Sequence, residues 1–323
     1  KAPRPPPFHR GGPRTAARQD APEPPRFDLA FEAAPGEMVA VSPLTRRILA
    51  NNPSPFTYRG TNTYVVGHGE VAVIDPGPED EPHVAAILAG LKGERIAQIV
   101  VSHTHRDHSP GARLLKAATG APIVGCGVHV AARALAQGET AKLDAANDLD
   151  HVPDRALADG EAVEGPGWRL VAVATPGHTT NHLCFHLAQE NALFSADHVM
   201  AWSTSIVAPP DGAMGPYMAS LEKLRARDDA LYWPGHGGPV KEPARFVRAM
   251  IGHRRQREAS ILARLADGAM TIPALVELNY AGLAPKLKGA AGLSTLAHLE
   301  DLADRGLVAV TGTDGLGALW RLA

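Results

Sequence analysis

The six residues His103-Thr104-His105-Arg106-Asp107-His108 constrain this chain more than any other stretch. They follow Ile96-Ala97-Gln98-Ile99-Val100-Val101-Ser102, an apolar run that reads as a buried strand. A strand that empties into a loop with three imidazoles and one carboxylate places those groups around one point. Neutral imidazole nitrogen and carboxylate oxygen suit zinc. Alternation along the loop turns His103 and His105 toward one ion, and Asp107 and His108 toward a second. The competing reading is an accidental cluster of polar loop residues. Ligand type and number at a strand end argue against it.

The pattern H-x-H-x-D-H resembles the signature of the metallo-β-lactamase-fold hydrolases, which take their remaining ligands from later strand ends. Three such places follow in order: Pro176-Gly177-His178-Thr179, Phe194-Ser195-Ala196-Asp197-His198 and Pro234-Gly235-His236-Gly237, each closing a short apolar run. The resemblance implies that His103, His105 and His178 hold a first metal, that Asp107, His108 and His236 hold a second, and that Asp197 bridges them. Upstream, Asp75 in Val73-Ile74-Asp75-Pro76-Gly77 matches the family's strand-end aspartate, which orients a ligand histidine. The implied fold is an αββα sandwich. Propensity alone supports only α/β (α+β).

Three stretches divide the chain: a Pro/Arg-rich extended arm over 1–26, a catalytic domain over 27–243 and a winged-helix-like unit over 244–323. The arm has no helix or strand pattern of its own. Strand patterns run over 38–48 and 61–67, and a hairpin joins 60–67 to 70–75 with its turn at Gly67-His68-Gly69. Helical spacing covers 81–92, 111–119 and 218–227, and strands cover 121–124, 168–174, 183–187 and 192–195. The stretch 138–150 reads as a polar loop with a short helix.

Beyond Pro243 a long helical pattern fills 244–267. Thr271 is a candidate N-cap for a helix with Pro273 in its first turn and Leu275 and Leu278 facing inward. Leu293, Leu296, Leu299 and Leu302 mark a third helix ended by Gly306, and 307–310 with 319–322 make a hairpin around a Gly-rich turn at 312–317. These are the parts of a winged helix. That addition narrows the resemblance to the β-lactamase-like protein 2 group, whose animal members resemble single-strand endoribonucleases.

Such a ligand set implies two divalent ions about 3.5 to 4 Å apart, most simply Zn2+, with Mn2+ or Fe admissible in one position. They would share a bridging hydroxide, lowering the pKa of water from about 15.7 toward 7. Asp107 would hydrogen-bond that hydroxide while ligating. His198, beside the bridging aspartate, is a candidate proton carrier, and Tyr217 a candidate hydrogen-bond donor to substrate. The loops at 200–206 and 209–212 are expected to line the cleft.

The substrate classes left open are an ester, thioester or lactone, with single-stranded RNA as the alternative. A nucleic-acid-binding protein with a vestigial site is the third reading, and the complete ligand set argues against it. A bridging aspartate and the lack of a signal-peptide pattern argue against antibiotic hydrolysis. Charge adds one hint. The net charge is −2, but residues 27–244 carry 16 basic and 25 acidic side chains, so the middle is acidic and both ends are basic. The third C-terminal helix presents Glu300, Asp301 and Asp304, where a helix approaching phosphates would be basic. Arg254, Arg255 and Arg257 read as a solvated helix face, and the C-terminal unit as a structural or dimerising appendage, with a homodimer as one possible assembly. No apolar run approaches the roughly 20 residues that span a bilayer, so no membrane contact and a cytoplasmic location are the expectation. Cys126 and Cys184 read as small buried hydrophobes.

Overall fold

Alternation of side chains along the strands explains how one chain makes two facing sheets with helices outside. In the computed structural model, which describes residues 23–135, 146–311 and 317–323, the chain runs β1 (Val39–Ala40), β2 (Thr45–Leu49), β3 (Asn62–Val66), β4 (Glu70–Ile74), α1 (Glu81–Gly90), β5 (Arg95–Val101), α2 (Gly111–Thr119), β6 (Ile123–Gly125) and β7 (Arg155–Ala156). These strands form a seven-stranded sheet in chain order. The pairs up to β3–β4 are antiparallel and those from β4–β5 onward are parallel, with α1 and α2 as the crossovers.

The second sheet follows as β8 (Ala162–Gly165), β9 (Trp168–Ala174), β10 (Leu183–Leu187), β11 (Ala192–Ala196), α3 (Met214–Arg225) and β12 (Leu231–Pro234), in the order β12-β11-β10-β9-β8. Successive residues of β9 to β11 point to opposite faces. Trp168, Leu170, Ala172, Leu183, Phe185, Leu187, Ala192 and Phe194 enter the core shared with the first sheet. Val173, Cys184 and Leu193 enter a second core beneath α3 and α4 (Pro243–Leu265). This is an αββα sandwich.

A third core closes the C-terminal unit. It joins the end of α4 to α5 (Ile272–Asn279), α6 (Lys288–Asp304), β14 (Val308–Thr311) and β15 (Leu319–Leu322), with β13 (Met270–Thr271) at the sheet edge. Ala297 of α6 also belongs to the second core, so this unit packs on the sandwich. Among the described residues no helix is long and apolar enough to cross a membrane.

Several expectations need correction. Helix α3 starts at Met214, one turn before 218, because Pro216 is tolerated in a first turn. Thr271 is the N-cap residue of α5 but its side chain makes no capping bond. Leu278 is 46% exposed: the buried stripe is Ile272, Leu275 and Val276, and a residue six positions past Ile272 lies about 240° around the helix from it. Residues 146–150 form a turn and a bridge, not a helix. Residues 138–145 of that loop, 1–22 of the arm and 312–316 of the Gly-rich turn lie outside the described residues.

Candidate metal centre

Five strands end at one edge of the sandwich, and each delivers a polar group there. Asp75 follows β4, residues 103–108 follow β5, His178 follows β9, Asp197 follows β11 and His236 follows β12. Among the described residues His103, His105, His178 and Asp197 form one set of converging donor atoms, and Asp107, His108 and His236 form another.

Asp197 reaches both sets. Its Oδ2 is 3.6 Å from His178 Nε2 and 3.3 Å from His236 Nε2, and its Oδ1 is 3.5 Å from His108 Nε2. Asp107 Oδ2 lies 3.1 Å from His236 Nε2 and 3.3 Å from His108 Nε2. The imidazole nitrogens also crowd one another. His105 Nδ1 is 3.2 Å from His103 Nε2 and 3.0 Å from His178 Nε2, while His108 Nε2 is 3.3 Å from His236 Nε2. Two nitrogens bound to one tetrahedral zinc at about 2.0–2.1 Å would stand about 3.3–3.4 Å apart. The donor set therefore fits metal ions.

In four of the five histidines the ring nitrogen that faces away is held. His178 Nδ1 meets the Ile206 carbonyl at 2.6 Å, and His236 Nδ1 meets the Gly60 carbonyl at 3.1 Å. His108 Nδ1 meets Asp75 Oδ2 at 3.0 Å. His103 Nδ1 is 2.9 Å from the Ser102 hydroxyl, which donates to Asp75 Oδ2 at 2.6 Å. One buried carboxylate thus orients two histidines. Close packing also selects the residue at 235: a Cβ there would stand 2.5 Å from Asp197 Oδ1 and 2.6 Å from His108 Cε1, so only glycine fits.

Residues 57–236 match the Metallo-beta-lactamase superfamily and residues 271–320 match the Beta-lactamase associated winged helix domain. The chain belongs to the metallo-beta-lactamase superfamily. Within it, the chain is 30% identical to the Beta-lactamase-like protein 2 homolog of Drosophila melanogaster, over 82% of this chain and 89% of that one. It is 28% identical to an atrochrysone carboxyl ACP thioesterase of Aspergillus fumigatus, over 76% of each. A beta-lactamase domain protein from Burkholderia ambifaria shares the superfamily fold with a TM-score of 0.76 at 20% identity, over 92% of this chain and 97% of that one.

The superfamily normally binds divalent metals, and the electrostatics of this cluster suit a cation. Burial disfavours charge on every imidazole, and the neighbours decide the outcome. His105 is pushed down to about 3 by burial and by His178, and burial with His108 beside it holds His103 well below the usual range. Burial also lowers His178. Around His108 and His236 burial again opposes the imidazolium, but Asp107 and Asp197 outweigh it; His108 is held well above its ordinary value and His236 is raised to about 10. Burial favours neutral acids at Asp107 and Asp197, yet His108 and His236 hold both well below the usual carboxylate range. Asp107 and Asp197 are thus ionised beside His108 and His236, and a divalent cation would balance the pair in place of the two imidazole protons.

Two residues expected to act in catalysis are buried. His198 is fully buried behind the cluster, its ring 5.7 Å from His182 and 4.6 Å from Tyr217, with neither nitrogen partnered. Tyr217 is fully buried too, and its hydroxyl donates to the His198 carbonyl at 3.1 Å. In the 209–212 loop Asp211 is buried, 3.2 Å from His129 Nε2, and accepts from Asn147 at 2.9 Å. Trp202 stacks on Tyr58 with ring centres 4.9 Å apart.

Sequence alone found Asp75 among the groups that hold the ligands and missed the others. Thr61 donates to Asp107 at 3.2 Å, and Asn62 donates to the Pro234 and Gly237 carbonyls at 3.0 and 2.9 Å, fixing the loop of His236. The carbonyls of Gly60 and Ile206 carry no side-chain signal that could have revealed them.

Proposed function

We propose that this chain is a dinuclear, metal-dependent hydrolase that acts on thioesters. The observation that carries the proposal is Asp197 standing between two sets of histidines, within 3.6 Å of a nitrogen in each. His103, His105 and His178 would hold one ion, Asp107, His108 and His236 the other, and Asp197 both. Zinc is the ion proposed, with manganese or iron as the alternative in one position. Ions held there supply Lewis-acid polarisation of the substrate carbonyl and an ionised water at neutral pH.

The chain's own groups do the rest. Asp107 has the most open side chain of the carboxylate pair, 25% exposed against 9% for Asp197. It therefore faces the incoming water and substrate, with one oxygen steadied by Thr61. Asp75, Gly60 and Ile206 accept from the outer nitrogens of His108, His236 and His178 and so fix which nitrogen of each ring faces the site.

A thioester is favoured over RNA by the thioesterase relative and by α6. That helix buries Leu296, Leu299 and Leu302, and its Glu300 pairs with Arg133 at 2.6 Å, so it offers phosphates no basic face. The test is turnover of acyl thioesters, lactones and a labelled single-stranded RNA by zinc-loaded protein, with His105→Ala as control. Thioester cleavage that disappears in the variant is expected. RNA cleavage that disappears in the variant, without thioester turnover, would overturn the proposal.

A further inference from the structure

The sequence groups Arg254 with Arg255 and Arg257 as one solvated basic face, and the structure separates them. Arg255 bonds Glu222 at 3.0 Å at the surface, and Arg257 lies 4.1 Å over the Tyr280 ring. Arg254 is only 3% exposed, and no carboxylate among the described residues pairs with it. Its guanidinium instead spans three elements. One arm donates to the Ser205 carbonyl, the other to the Ser294 hydroxyl of α6 at 3.3 Å, and its carbon lies 5.2 Å from the centre of the Tyr217 ring.

Ser205 is one step from two of the converging groups. Its hydroxyl donates to the carbonyls of Asp197 and His198 at 2.5 and 2.8 Å. The next carbonyl along, Ile206, is the group that holds His178 Nδ1. An apolar side chain could fill this space without the cost of stripping water from a cation. What arginine adds is a rigid two-armed donor that ties the 202–207 loop to α6.

We infer that Arg254 is a positioning residue for the metal centre: it fixes the loop that orients His178 and carries the turn of Asp197, and so couples the winged-helix unit to the site. This rests on the proposed ligand roles of His178 and Asp197. The winged helix then acts as a brace for the metal centre and not as a separate reader of nucleic acid.

The test compares wild type, Arg254→Met and, as a packing control, Arg257→Met. Amide hydrogen exchange over 202–207 is read in metal-free protein, and zinc affinity by titration against a chelator. Arg254→Met should fold cooperatively, exchange this loop about tenfold faster or more, and bind zinc about 10- to 100-fold more weakly, the usual loss when an outer partner of a metal ligand is removed. Its kcat should fall with little change in KM, because the substrate does not touch Arg254. Arg257→Met should lower the melting temperature alone. Wild-type loop exchange and zinc affinity in Arg254→Met would overturn the inference. If that variant fails to fold, Arg254→Lys keeps charge and length without the fork; it should lose zinc affinity, and an unchanged affinity would overturn the inference equally. A wild-type protein that binds no zinc would overturn the metal reading itself, before any variant is compared.

Discussion

Asp75 shows how one residue acts through others. Its Oδ1 accepts from the Ser102 backbone at 2.7 Å, and its Oδ2 takes both the Ser102 hydroxyl and His108 Nδ1. Replacing it by asparagine keeps the volume, but an amide presents two hydrogens where one oxygen now accepts two bonds. Asp75→Asn is expected to weaken zinc binding about 10- to 100-fold while the protein still folds, measured by chelator competition beside circular dichroism. Unchanged affinity would remove Asp75 from the support of the site. The converging histidines were legible in the sequence because imidazoles and carboxylates repeat at strand ends. Their neighbours were not, because adjacency in sequence does not fix direction. Asp197 faces the cluster and the next residue, His198, faces the interior. Residue type suggested a proton carrier, and only the turn after β11 decides which way the ring points.

Among the elements, the long and strongly patterned ones were readable: β5, α2, β9, β10 and α4 begin and end close to where their patterns do. The two- and four-residue strands β7 and β8 were not, since such short segments show no periodicity and form only through their neighbours' hydrogen bonds. Helix α6 combines both cases. Its leucine stripe was clear, but its other faces are buried as well, including His298 at 1% exposure with neither ring nitrogen partnered. Burial, then Arg254 and Arg257, push His298 down to about 3. The imidazole of the unfolded chain titrates near 6.5. Between those values the unfolded chain binds the extra proton, so the stabilisation is complete above about 6.5 and is lost as pH falls toward 3. The slope is about 1.4 kcal/mol per pH unit for one proton. His298→Leu should flatten the acid limb by about that slope when urea unfolding is compared at pH 6.5, 5.5 and 4.5. Parallel limbs for the variant and wild type would contradict a neutral buried His298.

At the scale of the whole molecule, the C-terminal unit shares a core with the catalytic sandwich. Val247, Met250 and Ile251 of α4 and Ala297 of α6 are buried in one cluster with Val207, Met214, Tyr217, Leu221 and Leu224. A chain ending at Glu242 would leave that face of α3 open to water. Each large apolar side chain so exposed costs about 1.5–3 kcal/mol, so the shortened protein is expected to lose its cooperative thermal transition or to aggregate. A soluble shortened protein with the full-length melting temperature would contradict the shared core. The sequence showed two units through the pattern shift near Pro243; it could not show their dependence, because the contacts join residues far apart in the chain. The most direct test of the central claim is metal content and thioester turnover measured on one sample, in wild type and Asp197→Ala, stripped and then reconstituted with zinc. Wild type should bind two ions per chain and lose and regain turnover with them, while Asp197→Ala should lose at least one ion and nearly all turnover. Full turnover by stripped wild type, or two tightly held ions in an active Asp197→Ala, would contradict it.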